Sequence, residues 1–211
     1  ALDFNLGCSG YIYGLALADG LLRAGHAEAV LLLTGETYSK FLDPKDKGTR
    51  TIFGDAGTAT LLDGASPNRL HSFVFGTDGS GAGFLIVRGS GMRRDPRTGV
   101  GGPRPLEMNG PEVFNFTARV VPPLIDQILE RGKIEFRDVD FFVFHQANAF
   151  MIEPLRRRLG IPADKFALSL EYVGNTVSSS FPIAIERALA TAKFRPGRRI
   201  LRAGFGVRLF W

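Results

Sequence analysis

The stretch Leu2-Asp3-Phe4-Asn5-Leu6-Gly7-Cys8-Ser9-Gly10-Tyr11 decides the fold expected for this chain. Its first half is mainly apolar, and a glycine on each side of Cys8-Ser9 permits a sharp turn into the helical spacing that follows. The pattern predicts a strand at 2–6, a helix over about 9–24 and a strand at 29–34. We therefore expect a βαβ unit, which is typical of mostly parallel sheets covered by helices.

Cys8 is the only cysteine in the chain, and it occupies the predicted turn between strand and helix. The unpaired amides at a helix N-terminus carry partial positive charge, which favours a thiolate and lowers the pKa of a thiol. A lone cysteine is more often a small buried hydrophobe. The flanking glycines, however, are typical of a nucleophile elbow, so we expect Cys8 to be a nucleophile.

The composition is that of a globular protein, with 211 residues, 45% of them hydrophobic and 22% charged. The apolar runs are far shorter than the roughly 20 residues of a membrane-spanning helix. The first residues lack the basic segment of a secretory signal, and one unpaired cysteine suits a reducing compartment, so a cytoplasmic location is expected. Because Ala1 lies within a predicted strand region, an N-terminally truncated chain is also expected.

The net charge of +5 and the pI near 9.7 are compatible with nucleic-acid binding. The basic residues nevertheless form short groups, without zinc-finger spacing, an aromatic RNA-binding motif or a basic tail, so no nucleic-acid partner is expected. Solvated surface is the simplest explanation, and docking of an acidic carrier protein or coenzyme phosphates is the alternative. The groups are Arg93-Arg94, Arg156-Arg157-Arg158 and Arg198-Arg199.

The remaining pattern predicts an α/β protein in two parts, residues 1–68 and 69–211, divided near a Ser-Pro segment at 65–68. The glycine-rich stretches at 76–83 and 99–105 lack a phosphate-loop pattern between strand and helix. Pro122-Pro123 is expected to kink or divide its helix. One predicted strand ends at residue 62, and three others cover 70–75, 139–144 and 199–204. The predicted helices cover about 111–130, 149–159 and 179–192.

Two further residues fit chemistry with a cysteine nucleophile. His145 ends the apolar strand at 139–144, where α/β sheets place their sites, and Asn175 lies in a loop just before a helix. A thiolate can attack a thioester carbonyl while an imidazole and a carboxamide donate hydrogen bonds to the developing oxyanion. Papain-like proteases share the Cys/His/Asn set, but the second cysteine that usually follows their nucleophile is missing from this chain. A zinc site is not expected either, because the histidines and the cysteine lack the spacing of metal ligands.

Six motifs occur in the order found in the β-ketoacyl-acyl carrier protein synthase III family, which the chain therefore resembles. The resemblance spans nearly the whole chain and implies a thiolase-like layered fold, with mostly parallel central sheets flanked by helices and an incomplete first half. It also implies a homodimer. The motifs are Gly7-Cys8-Ser9-Gly10, Phe53-Gly54-Asp55-Ala56, Asp78-Gly79-Ser80-Gly81, His145-Gln146-Ala147-Asn148, Gly174-Asn175-Thr176 and Ala203-Gly204-Phe205-Gly206.

By this resemblance, Cys8 corresponds to the nucleophile that takes an acyl group from acyl-coenzyme A. His145 and Asn175 correspond to the pair that binds the malonyl thioester carbonyl, and the backbone amides of Cys8 and Val207 to the oxyanion hole. The family implies a decarboxylating Claisen condensation in fatty-acid or related lipid biosynthesis. Its partners would be acyl-coenzyme A and acyl carrier protein, with no metal or redox cofactor.

The chain departs from the family pattern at Phe150, where many members place an arginine that meets carrier protein, and at Arg208 and Phe210, where small residues are usual. Arg156, Arg157 and Arg158 follow Phe150 on the same predicted helix and are expected to provide docking charges. A truncated, non-catalytic dimerisation partner remains an alternative. Type III polyketide synthase and hydroxymethylglutaryl-coenzyme A synthase are further alternatives, although the residues of the Gly-Cys-Ser-Gly and His-Gln-Ala-Asn motifs favour synthase III.

Overall fold

The computed structural model describes residues 1–65, 70–90, 104–193, 195–206 and 211. The predicted boundary near 65–68 falls largely outside these residues, as do Val207, Arg208 and Phe210. The described residues form the helices α1 (Gly10–Arg23), α2 (Lys47–Arg50), α3 (Gly110–Gly132), α4 (Ala149–Arg158) and α5 (Ser180–Ala190). They also form the strands β1 (Ala29–Glu36), β2 (Ala56–Asp63), β3 (Leu85–Val87), β4 (Leu106–Met108), β5 (Phe141–Phe144) and β6 (Ile200–Ala203).

The opening βαβ prediction is correct for α1 and β1 and wrong for the strand at 2–6. Residues 1–7 have no strand structure, and Leu2 is 68% exposed. A strand needs a neighbour for its backbone hydrogen bonds, and none of the described strands pairs with this segment. The prediction of a strand at 70–75 is wrong for the same reason, since no strand is formed there.

The described strands form three pairs. β1 pairs antiparallel with β2 from Ala29 opposite Asp63 to Glu36 opposite Ala56, and β3 pairs antiparallel with β4. β5 and β6 run parallel, with Phe144 opposite Ala203 at their carboxyl ends. The parallel arrangement expected from the sequence therefore holds for the β5–β6 pair, whereas the other two pairs are antiparallel.

α3 continues through Pro122 and Pro123 for 23 residues, so the prolines do not divide it. Each proline removes a backbone donor from the helix. Val121 and Ile125 on the same helix are almost completely buried in the core, and this packing offsets the missing hydrogen bonds. The side chain of Asn109 caps the first turn by accepting a hydrogen bond from the Glu112 N–H.

β5 separates two apolar cores and carries its end to the candidate site. Phe142 and Phe144 point into the cluster that includes α3, while Phe141 and Val143 point into the cluster that includes α1 and α5. All four residues are buried, as expected for a strand covered on both faces. His145 follows directly and is therefore fixed between the two cores.

Candidate active site

Cys8 lies in the turn that leads into α1 and is only 3% exposed. The turn is closed by a hydrogen bond of 2.7 Å from the Gly10 N–H to the Gly7 carbonyl. α1 begins at Gly10, so the sulfur stands beside the positive end of the helix. The structure thus has the turn and helix of the predicted elbow, without the preceding strand.

Gly206 packs directly against Cys8. Its φ of 152° lies in the region that side chains rarely adopt, and an added Cβ would stand 2.6 Å from Cys8 Cβ and 2.7 Å from Sγ. Only glycine fits such an approach without displacing the sulfur. The Phe205-Gly206 part of the last glycine motif therefore sets the position of the Cys8 side chain.

His145 is held by contacts on both ring and backbone. The backbone N–H of His145 donates to the Ala203 carbonyl at 2.9 Å. The imidazole ring contacts the rings of Phe181 and Phe205. Its Nδ1 lies 3.0 Å from Ser180 Oγ. Burial lowers the pKa of His145 to about 3, so the imidazole is neutral at physiological pH.

Asn175 is fixed by a parallel bridge to Phe53. Its N–H donates to the Ile52 carbonyl at 2.9 Å, and its own carbonyl accepts from the Gly54 N–H at 3.0 Å. The side-chain Oδ1 accepts from the Val177 N–H at 2.9 Å, in a turn where Val177 has a φ of 54°. With the amide oxygen occupied, the amide NH2 is the group left to donate.

Gln146 follows His145 but has a structural role. Its Nε2 donates to the carbonyls of Phe144 and Ala167, and its Oε1 accepts from the Ser169 N–H at 2.9 Å. These three bonds satisfy the buried amide and tie the end of β5 to the neighbouring segment. The Gln146 side chain is therefore occupied in holding the backbone that presents His145.

Cys8, His145 and Asn175 line one cavity of about 30 Å³, close to the volume of a single water molecule. The structure thus brings together three side chains that are far apart in the sequence. Most of the other lining residues are apolar; they are Ile52, Phe53, Leu85, Met108, Val113, Ala147, Asn148, Met151, Phe205 and Gly206.

Two further ionisable groups lie near this cavity, and sequence reasoning missed both. Glu36 accepts hydrogen bonds from the backbone N–H and hydroxyl of Ser178, and burial raises its pKa. Burial, together with the charges of Cys8 and Glu36, raises the pKa of Tyr38. The Tyr38 hydroxyl therefore stays protonated, and Glu36 anchors the turn that follows Asn175.

The three arginines expected to dock a partner differ in availability. Arg156 is largely buried, pairs with Glu153 and donates to the Ile161 carbonyl. Arg158 donates to the Ala118 carbonyl. The Arg157 side chain is 74% exposed, with one long contact of 3.8 Å to Glu153. Arg157 and Arg158 are therefore the two exposed members of the group, and Arg157 is the one without a bond to a backbone carbonyl of the described residues.

Two other kinds of site were sought across the described ranges. None of the helices in them combines the length and hydropathy needed to cross a membrane. Nor do these ranges contain three or more His, Cys, Asp or Glu side chains grouped so that they could hold a metal ion.

Comparison with known proteins gives consistent matches. A family model described as 3-oxoacyl-[acyl-carrier-protein] synthase III matches residues 2–79, and one described as its C terminal matches residues 129–211. β-Ketoacyl-[acyl-carrier-protein] synthase III 3 of Streptomyces coelicolor is 36% identical over the whole chain. The protein of Deinococcus deserti with the name β-ketoacyl-[acyl-carrier-protein] synthase III is also 36% identical over the whole chain.

Solved structures agree with these matches. A crystal structure of 3-oxoacyl-(acyl-carrier-protein) synthase III has a TM-score of 0.90 and 44% identity, covering all of this chain and 66% of that one. The β-ketoacyl-[acyl carrier protein] synthase III of Thermus thermophilus gives 0.89 and 36%, covering all of this chain and 65% of that one. These likenesses confirm the thiolase-like α/β fold expected from the sequence.

The match covers only part of each relative. The chain spans 64% of the length of the Streptomyces coelicolor protein and 60% of that of the Deinococcus deserti protein.

Proposed function

Because the chain belongs to the 3-oxoacyl-[acyl-carrier-protein] synthase III family, we propose that it condenses an acyl-coenzyme A primer with a malonyl thioester. The reaction is a decarboxylating Claisen condensation in fatty-acid or related lipid biosynthesis. The observation that carries the proposal is the shared cavity of Cys8, His145 and Asn175. It supplies a nucleophile and two hydrogen-bond donors at one place, which is the set that this reaction needs.

The first step is transfer of the acyl group to Cys8. The thiolate attacks the carbonyl carbon of acyl-coenzyme A, and the tetrahedral oxyanion accepts hydrogen bonds from backbone amides. The proposed donors are the amides of Cys8 and Val207, the latter outside the described residues. The carbon–sulfur bond to coenzyme A breaks, coenzyme A leaves as a thiol after taking up a proton, and acyl-Cys8 remains.

The second step uses the side-chain hydrogen-bond donors of His145 and Asn175. The neutral imidazole of His145 and the amide NH2 of Asn175 donate to the carbonyl oxygen of the malonyl thioester. Carbon dioxide leaves, and its bonding electrons form an enolate that these donors stabilise. The enolate carbon attacks acyl-Cys8, and the thiolate is released. Each such donor is worth about 3 kcal/mol of transition-state stabilisation.

Partners are part of the proposal. Arg157 supplies an accessible positive charge for acidic acyl carrier protein or coenzyme phosphates. Leu31, Leu33 and Leu61 lie on neighbouring strands with more than half of their surface exposed. An apolar row of this kind favours an interface, so we include a homodimer in the proposal.

Intact mass spectrometry after incubation with acetyl-coenzyme A tests the function. The wild-type protein should gain one acetyl group and Cys8→Ala none. His145→Ala and Asn175→Ala should still be acetylated but fail to release carbon dioxide from malonyl-coenzyme A. A folded wild-type protein that is not acylated by acetyl- or longer acyl-coenzyme A would contradict the proposal and favour a non-catalytic dimerisation partner.

A further inference from the structure

Three consecutive serines, which we call the serine run, follow the turn that carries Asn175. They are Ser178, Ser179 and Ser180, and all three are buried. The hydroxyl of Ser180 contacts the imidazole of His145. The serine run therefore connects the turn of Asn175 to His145.

β1 contacts the serine run through two of its side chains. Thr34 and Glu36 are two residues apart on this strand, so they point to the same face. Thr34 Oγ1 lies 2.7 Å from Ser179 Oγ. Glu36 Oε1 accepts hydrogen bonds from the Ser178 hydroxyl and, at 3.3 Å, from the Ser178 N–H. Two adjacent members of the serine run are thus fixed to one face of β1.

The turn at 175–178 has an unfavourable backbone conformation. Val177 has a φ of 54°, a region in which a β-branched residue is rarely found. Such a conformation persists only where the surrounding contacts impose it. It allows the Val177 N–H to donate to Asn175 Oδ1 at 2.9 Å, and this bond orients the side-chain amide. If the turn relaxed, Asn175 would lose that orientation.

The two ends of this turn are held by different contacts. At its start, the backbone of Asn175 bonds to Ile52 and Gly54. At its end, Ser178 is bound to Glu36 through both its N–H and its hydroxyl. Loss of the Glu36 carboxyl would deprive two buried donors of this acceptor, which is unfavourable. Relaxation of the turn is the direct way to find them new partners.

We propose that Glu36 is a positioning residue for decarboxylation, because it fixes the turn that orients the Asn175 amide. The inference rests on the proposed function, in which Asn175 binds the malonyl thioester carbonyl. Glu36 does not line the cavity of Cys8, and acyl transfer to Cys8 uses backbone amides. Glu36 therefore acts on the second step and leaves the first nearly unaffected.

Three variants separate this role from general support of the fold. Glu36→Ala removes both bonds to Ser178, so carbon dioxide release from malonyl-coenzyme A should slow about tenfold while acetylation of Cys8 continues. The loss should appear in kcat rather than in KM, since the oxyanion forms after the thioester has bound. Glu36→Gln keeps an oxygen that can accept from Ser178 and should restore the rate. Glu28→Ala, at an exposed glutamate just before β1, is the matched control and should alter neither step.

Hydrogen exchange at the Val177 amide gives a measurement that does not depend on catalysis. Exchange should be about tenfold faster in Glu36→Ala than in the wild-type protein and unchanged in Glu36→Gln. If Glu36→Ala does not fold, Ser178→Ala removes the hydroxyl bond alone and should show the same pattern to a smaller degree.

Four results would overturn the inference: normal carbon dioxide release in Glu36→Ala, equal losses in both steps, an equal loss in Glu36→Gln, or unchanged exchange at Val177. Failure of the proposed function would look different, because the wild-type protein itself would then not be acylated. In that case the exchange at Val177 would still show whether Glu36 holds the turn.

Discussion

Ser180 Oγ lies 3.0 Å from Nδ1 of His145, and both residues are almost completely buried. The same oxygen accepts a hydrogen bond from the Gln146 N–H at 3.4 Å. In the neutral ring one nitrogen carries a proton and the other accepts, and we assign Nδ1 as the acceptor of the Ser180 hydroxyl proton. This assignment puts the imidazole proton on Nε2, where it can serve as a donor in the cavity.

Ser180→Ala should slow condensation while leaving the acylation of Cys8 nearly unchanged. The variant removes the group that selects the Nε2–H form of His145, and a hydrogen bond of roughly 1.4 kcal/mol corresponds to about a tenfold lower rate. Mass spectrometry measures acylation, and carbon dioxide release from malonyl-coenzyme A measures the later step. Thr191→Ala, just past the end of α5, is the matched control. Equal losses in both steps would show that Ser180 only supports the fold.

The sequence predicted the parts of this site that depend on local pattern. Helical spacing located α1, and the apolar run before His145 located β5. Motif order brought Cys8, His145 and Asn175 into one hypothesis. The contacts that orient them could not be predicted in this way, because Ser180 and Gly206 reach His145 and Cys8 through tertiary packing.

The incorrect strand predictions have a related cause. Residues 2–6 and 70–75 have the apolar composition of strands, but a strand also needs a neighbouring backbone. Neighbours are set by topology, which composition does not specify. Pro122-Pro123 does not divide α3 for a similar reason, because burial of the helix outweighs a local preference.

Gly206→Ala should impair both stability and Cys8 acylation. The new methyl group would stand 2.7 Å from the Cys8 sulfur, and the φ of 152° disfavours any side chain. We expect the free energy of unfolding to fall by about 2–3 kcal/mol, since overpacking and backbone strain both contribute. Urea denaturation measures the first effect, and the rate of acetyl transfer measures the second.

Gly20→Ala is the control for that substitution. Gly20 is exposed in the interior of α1, and an added Cβ would meet no atom within 4 Å. This variant should gain about 0.5–1 kcal/mol of stability, as expected for alanine in a helix. If Gly206→Ala were as stable and as readily acylated as Gly20→Ala, the close approach of Gly206 to Cys8 would have no functional importance.

Stability should depend on pH through His145. The pKa of His145 is about 3 in the folded protein and about 6.5 for an unfolded chain, so the unfolded state binds the proton first as pH falls. Stability is therefore lost as pH falls from about 6.5 towards 3. Relative to His145→Gln, the wild-type protein should lose about 1.4 kcal/mol between pH 7.5 and pH 5.5. If the urea midpoints of the wild-type protein and His145→Gln shifted by the same amount between pH 7.5 and pH 5.5, the prediction would be refuted.

Asn175→Asp separates the structural and chemical roles of Asn175. The carboxylate retains an oxygen that can accept the Val177 N–H, so the turn should keep its conformation. It removes the NH2 donor and adds a negative charge where the enolate oxygen would form. We expect carbon dioxide release from malonyl-coenzyme A to fall by about 100- to 1,000-fold, the usual effect of losing one oxyanion donor. Acetylation of Cys8 should continue, because that step uses backbone amides. A decarboxylation rate equal to that of the wild type would mean that Asn175 does not contact the substrate.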